Sequence, residues 1–366
     1  MRKIFKTITI NILILSVGLL FIELFMGGWF IKTNQLDNLN VIRDKKYVYK
    51  TDFYTDSLID VHYTRDKFGL RGKSSFNRPE KIDILTIGGS TTDQRYISDG
   101  ETWQDVIENC YKQDGKNVVV ANAGIDGQST FGHIKNFEVW FPQIPQIKPK
   151  YILFYVGIND IFRIADTSFF DIMQFNTTEN SINLLYLIKI RIKQNSIIYN
   201  FYLKMRGWIN AIRSGAAHKN TDFSKYTYTD KGIASEKLYA LNNASLSGFK
   251  NRLLKLVDDA NAMGAEPIFV TQPSMKFKLD PNYVVQGISE LDYIDKYPYN
   301  GVDYYNFILK INEVIFEVCD DKYTFIDLTK TSIWEQTDFY DMYHNTTQGA
   351  KKVGIEIYNK IKNKKI

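Results

Sequence analysis

The sequence predicts an α/β fold, a parallel sheet covered on both faces, carried behind an apolar N-terminal segment. Five short apolar runs, Ile82–Ile87, Val118–Ala121, Tyr151–Val156, Pro267–Thr271 and Tyr323–Ile326, alternate with longer stretches compatible with helix. Strands buried on both faces read as such continuous runs. The helical stretches are Thr102–Tyr111, Phe131–Phe141, Glu236–Ala262, Tyr304–Cys319 and Thr347–Ile361. In Glu236–Ala262, Leu238, Leu241, Leu246, Phe249, Leu253, Leu256 and Val257 recur mostly at three- and four-residue steps, the mark of a one-sided helix. An apolar share of 44%, with 14% aromatics, agrees with a packed globular chain.

Taken in order, the first element is Ile8 to Phe30, apolar except for Glu23 and long enough to cross a bilayer. It is apolar on every face, which makes a buried core helix the weaker reading. Arg2, Lys3 and Lys6 precede it, while Lys32, Asn34, Gln35 and Asp37 follow. That asymmetry places the N-terminus in the cytoplasm and the remainder in the periplasm or outside the cell. Residues 1–32 therefore read as a single-pass anchor. A cleaved signal peptide is the alternative, although the stretch exceeds the usual signal core and no Ala-x-Ala site follows.

Residues 33–80 are mixed polar and aromatic and read as a stalk or preliminary lobe. The main domain spans 81–366 and holds two stretches outside the strand and helix alternation. The first, about 161–235, has helix-like segments near Ile182–Ile192 and Ile197–Ile212; the second, about 275–303, carries Pro281, Pro298 and several tyrosines. Both begin just past a strand's C-terminal end, the edge where open α/β sheets bind ligands, so both read as lids or substrate-lobe insertions. The net charge of +5 has no long basic run except Lys360 to Lys365, and nucleic acid is not an expected partner. Cys110 and Cys319 are too few for a disulfide framework or a Cys-based zinc site; they read as two buried thiols, with one bridge as the alternative.

The chemistry gathers at the strand ends. Gly88-Gly89-Ser90-Thr91-Thr92-Asp93 follows the first run. Small residues there let the backbone turn sharply, expose the serine hydroxyl and aim its N–H at a developing oxyanion. By itself such a turn equally suits a structural corner or a phosphate cradle, but no Walker lysine and no Gly-x-Gly-x-x-Gly is present. Asn122 to Ser129 follows the second run, and Gly127 offers an unobstructed N–H. Gly157-Ile158-Asn159-Asp160 follows the third, and Asn159 supplies an amide that donates without titrating. Turn chemistry is the plain alternative for both. Asp341-Met342-Tyr343-His344 follows the fifth run, where the carboxylate can fold back on the imidazole Nδ1–H and leave Nε2 for the serine. His62, His133 and His218 lack such spacing and read as surface or packing residues. The Asn-x-Ser/Thr matches at Asn176, Asn243 and Asn345 read as incidental.

In this order the four segments resemble the four blocks of the SGNH/GDSL hydrolase superfamily, of the membrane-anchored, cell-envelope type. The resemblance runs from Lys81 to about Ile361. One departure is Gly-Gly-Ser-Thr-Thr in place of Gly-Asp-Ser-Leu. Phe68-Gly69-Leu70-Arg71-Gly72 also resembles a segment of envelope-anchored members. The resemblance implies a flavodoxin-like three-layer α/β/α fold with a five-stranded parallel sheet of order 2-1-3-4-5. It implies a cofactor-free and metal-free mechanism with Ser90 as nucleophile, His344 as base and Asp341 as its orienting acid. The Ser90 N–H, the Gly127 N–H and the Asn159 amide would form the oxyanion hole. The expected function is an esterase or O-acyl hydrolase, with acetyl the expected group, or an acyltransferase. The expected substrates are acylated envelope or secreted glycans, with envelope polysaccharide machinery as a possible partner. The alternatives are a lipase or lysophospholipase on lipid esters, and a catalytically retired protein that binds or assembles exported polysaccharide.

Overall fold

The computed structural model describes residues 2–30, 36, 39, 41–163, 192, 195–213, 218–279, 284–331 and 333–366. The chain divides into two compact units, Met1–Asn38 with Met173–Ala217, and Leu39–Ile172 with His218–Ile366.

In the first unit, helix α1 (Arg2–Met26) contains Ile4–Met26, a stretch of 23 residues with mean hydropathy 2.4 and no buried share. It is long and apolar enough to span a membrane, a property a signal sequence shares. The expected helix near 182–192 lies outside the described residues except for Ile192.

The second unit opens with an antiparallel hairpin of β1 (Lys45–Thr51) and β2 (Ile59–Arg65). The elements then alternate as the apolar runs require: β3 (Ile84–Gly88), α2 (Trp103–Gln113), β4 (Val120–Asn122), α3 (Thr130–Lys135) and β5 (Tyr151–Tyr155). Within the first unit's segment lies α4 (Ile197–Arg213). The second unit resumes with β6 (Tyr228–Thr229), α5 (Glu236–Ala262) and β7 (Glu266–Val270). Four short strands follow, β8 (Phe277–Leu279), β9 (Val285–Ile288), β10 (Asp292–Ile294) and β11 (Tyr297–Tyr299), then α6 (Gly301–Cys319), β12 (Thr324–Ile326) and α7 (Thr347–Ile361).

The central sheet runs β12-β7-β5-β3-β4 with every pair parallel. Counted along the chain, that is the expected 2-1-3-4-5 order. Side chains alternate faces along each strand. Ile84, Tyr151, Leu153, Tyr155, Ile268 and Val270 join Trp103, Ile107, Tyr111, Val353 and Ile357 of α2 and α7 in one cluster. On the opposite face Phe154 stacks on Phe269 at 5.0 Å and meets Phe137 at 6.3 Å. A layer of helix thus covers each side.

Local chemistry explains two shifted boundaries. Helix α6 starts at Gly301, ahead of the expected Tyr304, because Asn300 caps it: the Asn300 side chain accepts from Val302 and Asp303 N–H, and the Asp303 carboxylate accepts from Asn300 N–H. The stretch expected as one helix, Phe131–Phe141, widens after α3 into a π turn, Asn136–Trp140, followed by a tight turn at Phe141–Gln143. The extra residue keeps Asn136 on Gln128, through bonds of 2.9 and 3.1 Å, and lets the Trp140 indole donate to Phe68 O at 2.7 Å. The second insertion folds as β strands: β9 pairs antiparallel with both β6 and β8, and β10 with β11 form a hairpin. Cys110 and Cys319 are both free thiols; Cys319 is buried and Cys110 half-buried.

Candidate active site

Every expected site residue lies past the C-terminal end of a central strand, or on the loop leading into α7. Ser90 opens a single helical turn, Ser90–Asp93, directly after β3, with Gly89 as its cap. The turn closes through Asp93 N–H to Gly89 O at 2.9 Å and Gln94 N–H to Ser90 O at 2.8 Å. Ile125 N–H donates to Gly88 O at 3.0 Å, which hooks the loop after β4 onto the end of β3. The next turn is closed by Gln128 N–H on Ile125 O at 3.1 Å, with Gly127 at φ +75°, a conformation that glycine adopts without strain. After β5, Asn159 Nδ2 donates to Gln128 O at 2.9 Å. Ile158 N–H donates to Gln272 Oε1 at 2.8 Å, and Gln272 Nε2 donates to Thr91 Oγ1 at 2.6 Å. The ends of β3, β4, β5 and β7 are therefore stitched to one another by side chains.

Ser90 Oγ stands 2.7 Å from His344 Nε2, and His344 Nδ1 lies 2.7 Å from Asp341 Oδ2 and 2.9 Å from Oδ1. Asp341 Oδ1 also accepts from Tyr343 N–H at 2.9 Å and His344 N–H at 2.8 Å. Burial opposes the charged imidazolium, yet the Asp341 carboxylate outweighs it and holds the His344 pKa above the ordinary histidine value. Burial likewise works against the Asp341 charge, and His344 with the Tyr343 N–H holds that carboxyl below the usual range. An imidazole so placed can take a hydroxyl proton while the carboxylate stabilises the cation that forms.

The glycine before the serine has a steric reason. A Cβ on Gly89 would come within 2.4 Å of Asn159 Nδ2 and 3.0 Å of Gln128 O. The Asn159 amide occupies the space a side chain would need, so the departure from Gly-Asp-Ser makes room for that amide in this chain.

Three groups that the spacing along the sequence did not mark belong to this neighbourhood. His218, expected as a surface or packing residue, lies with its ring centroid 4.1 Å from that of His344; its Nδ1 is 2.6 Å from Tyr340 Oη and its Nε2 3.7 Å from Asp126 Oδ2. Burial, and then repulsion from His344, push its pKa down. Asp126 also pairs with Arg95 at 3.1 Å; burial works against its charge, but His218 and Arg95 hold its carboxyl below the ordinary range. Ligand atoms of His218, Asp341 and His344 lie within 4.8 Å of one another, close enough to share a metal ion, although the two His344 nitrogens are engaged by Ser90 and Asp341. The third group is a pair of buried guanidinia. Arg65 donates to Asn122 O at 3.0 Å and Gly124 O at 2.6 Å and pairs with Asp93. Arg71 donates to Asp93 O at 2.7 Å, Gln94 O at 2.9 Å and Asp99 Oδ1 at 2.8 Å. Phe68-Gly69-Leu70-Arg71-Gly72 thus clamps the loop that follows Ser90. His62 is exposed and His133 is buried, as expected of surface and packing residues.

A family model described as GDSL-like Lipase/Acylhydrolase matches residues 84–357. No curated protein is found similar to the chain. Among solved structures, the lipase/acylhydrolase from Enterococcus faecalis is similar at 14% identity, with 77% of this chain and 96% of that one covered and a TM-score of 0.39. An acetyl xylan esterase is similar at 12% identity, covering 76% and 98%, with a TM-score of 0.42. A psychrotrophic esterase from Pseudoalteromonas sp. is similar at 12% identity, covering 76% and 97%, with a TM-score of 0.37.

Proposed function

The chain belongs to the GDSL-like lipase/acylhydrolase family, and from that premise we propose that it is a serine esterase or acyltransferase acting on acylated glycans at the cell envelope. The observation that carries the mechanism is the hydrogen-bonded chain Ser90 Oγ, His344 Nε2, His344 Nδ1 and Asp341. Ser90 attacks the ester carbonyl while His344 takes its proton. The imidazolium, held by Asp341, returns that proton to the departing alkoxide, and an acyl-serine remains. Water, deprotonated by His344, hydrolyses the acyl-serine; a sugar hydroxyl in the same place accepts the acyl group and makes the reaction a transfer. The Ser90 and Gly127 N–H groups and the second N–H of the Asn159 amide hold the oxyanion of each tetrahedral intermediate.

A glycan substrate is supported by what surrounds the imidazole. His218, Tyr96 and Phe53 succeed one another at ring distances of 4.1 Å from His344 to His218, 5.0 Å to Tyr96 and 4.8 Å to Phe53, with buried Tyr340 stacked behind them 5.6 Å from His344. Part-exposed Arg95 and Asp126 stand beside these rings. Aromatic faces interleaved with charged groups suit a ligand that is apolar on one side and hydroxylated at its edge. The envelope location rests on reading α1, which is long and apolar enough to span a membrane, as an uncleaved anchor with Arg2, Lys3 and Lys6 on the cytoplasmic side.

A fluorophosphonate probe should label the wild-type chain and leave Ser90→Ala unlabelled at equal folding. Mass spectrometry of acetylated glycans incubated with each protein should show acyl groups removed or moved by the wild type alone. Equal turnover by Ser90→Ala would overturn the mechanism, and turnover of lysophospholipid with glycans untouched would overturn the substrate class.

A further inference from the structure

We propose that α4 is an in-plane helix that lies in the bilayer interface beside the anchor, its apolar stripe seated among lipid acyl chains. The inference rests on reading α1 as an anchor and adds a second point of membrane contact. Along α1, Glu23 is 19 residues beyond Ile4, about 29 Å of helix axis, which matches the roughly 30 Å of a hydrocarbon core. The single acidic residue of the span therefore falls at the level where the helix leaves the apolar region.

Both oxygens of that carboxylate are engaged within the same unit. Trp29 Nε1 donates to Oε1 at 2.9 Å, and the N–H of Ile198, the second residue of α4, donates to Oε2 at 3.2 Å. A carboxylate against the positive end of a helix dipole is a favourable pairing, and here it fixes the start of α4 at the bilayer boundary. Trp29 beside it is the type of residue that settles at headgroup depth.

Among the described side chains, the exposed apolar residues of α4 then fall on one line. Ile198, Phe201, Tyr202, Met205 and Ile209 are all exposed, with Phe201 at 63% and Tyr202 at 54%. At 3.6 residues per turn, steps of three, four, seven and eleven return to one face. This stripe lies on a helix with no acidic residue and with Lys204, Arg206 and Arg213. Large apolar groups on one face with basic residues and no acids is the composition of helices that lie on anionic lipid surfaces. The wholly exposed apolar surface of α1, continuous with this helix through Glu23, names lipid as the occupant over a second copy or a soluble partner.

The test uses the full chain in nanodiscs of phosphatidylcholine and phosphatidylglycerol, with p-benzoylphenylalanine placed in turn at Phe201, at Leu15 of α1 and at the exposed Ile333 of the second unit. After irradiation, intact-mass analysis should find lipid adducts at positions 201 and 15 and none at 333. Adducts at 15 without adducts at 201 would overturn the in-plane helix and leave the anchor standing. Crosslinks from 201 to another copy of the chain would overturn it in favour of self-association. Absence of adducts at both 15 and 201 would overturn the anchor reading and this inference together.

Discussion

Adding one methyl group to Gly89 should disarm the site without touching any reacting atom. A Cβ there would stand 2.4 Å from Asn159 Nδ2, against 3.4 Å for an ordinary contact, so the amide must retreat by about 1 Å. The other neighbour, Gln128 O at 3.0 Å, is backbone and needs only a few tenths. Displacing a catalytic donor by that distance costs on the order of 100-fold in rate, about 2.7 kcal/mol of barrier. Gly89→Ala should therefore lower kcat on an acetyl-ester reporter roughly 100-fold, within the range of about 100- to 1,000-fold for losing one oxyanion donor. Asn159→Ala should show a comparable loss. Because both changes act through one amide, the double variant should be no worse than Asn159→Ala alone, a non-additivity that a double-mutant cycle reads directly. Thermal melts of each variant separate this from overpacking, whose usual cost is about 1–3 kcal/mol. Full activity of Gly89→Ala, or losses that multiply in the double variant, would refute the reasoning.

Other outcomes follow from the same geometry. The His344 base works only when neutral, and Asp341 holds its pKa above the ordinary 6.5, so kcat/KM should fall as the pH drops through a value above 6.5. Asp341→Asn should move that limb to lower pH and cut kcat by up to about 10⁴-fold, the loss known for the corresponding aspartate of serine proteases; an unmoved limb would exclude His344 as the titrating base. Arg71→Met strands acceptors at Asp93, Gln94 and Asp99 and should cost about 3–5 kcal/mol, measured by denaturant unfolding; a change below 1 kcal/mol would mean that the clamp adds no stability. His218→Phe keeps a ring against His344 but removes the partner of Tyr340 Oη, and should lower the Tm while leaving fluorophosphonate labelling of Ser90 in place.

The legible part of this molecule was whatever a short stretch of chain decides by itself. Ile82–Ile87 and Tyr151–Val156 had to be buried strands because runs so apolar have nowhere else to go, and the observed Ile84–Gly88 and Tyr151–Tyr155 are neighbouring inner strands of the sheet. Asp341 and His344 could be paired on the page because four consecutive residues of one loop carry both groups. What escaped is held by long-range pairing. β6 has two residues and finds its partner β9 some sixty positions later, so no local alternation announces it. Arg65 and Arg71 bond mainly to carbonyl oxygens, which every residue has, so no spacing marks their targets. His218 meets Asp126 and His344 only after the chain has folded, and its own surroundings in the sequence carry no carboxylate at a telling distance.

The placement of strands also sets when this protein can first work. Ser90 opens the turn directly after β3, but its imidazole partner is 254 residues later in the chain. The last helix closes on α2 through Tyr111 Oη and Ile361 O, which are 250 residues apart. A chain growing from its N-terminus makes Ser90 well before the base it needs. Such long loops close slowly. The serine therefore lacks its base until the loop that carries His344 has been made and has docked beside it, and a copy that stops short of that loop keeps the hydroxyl without the imidazole.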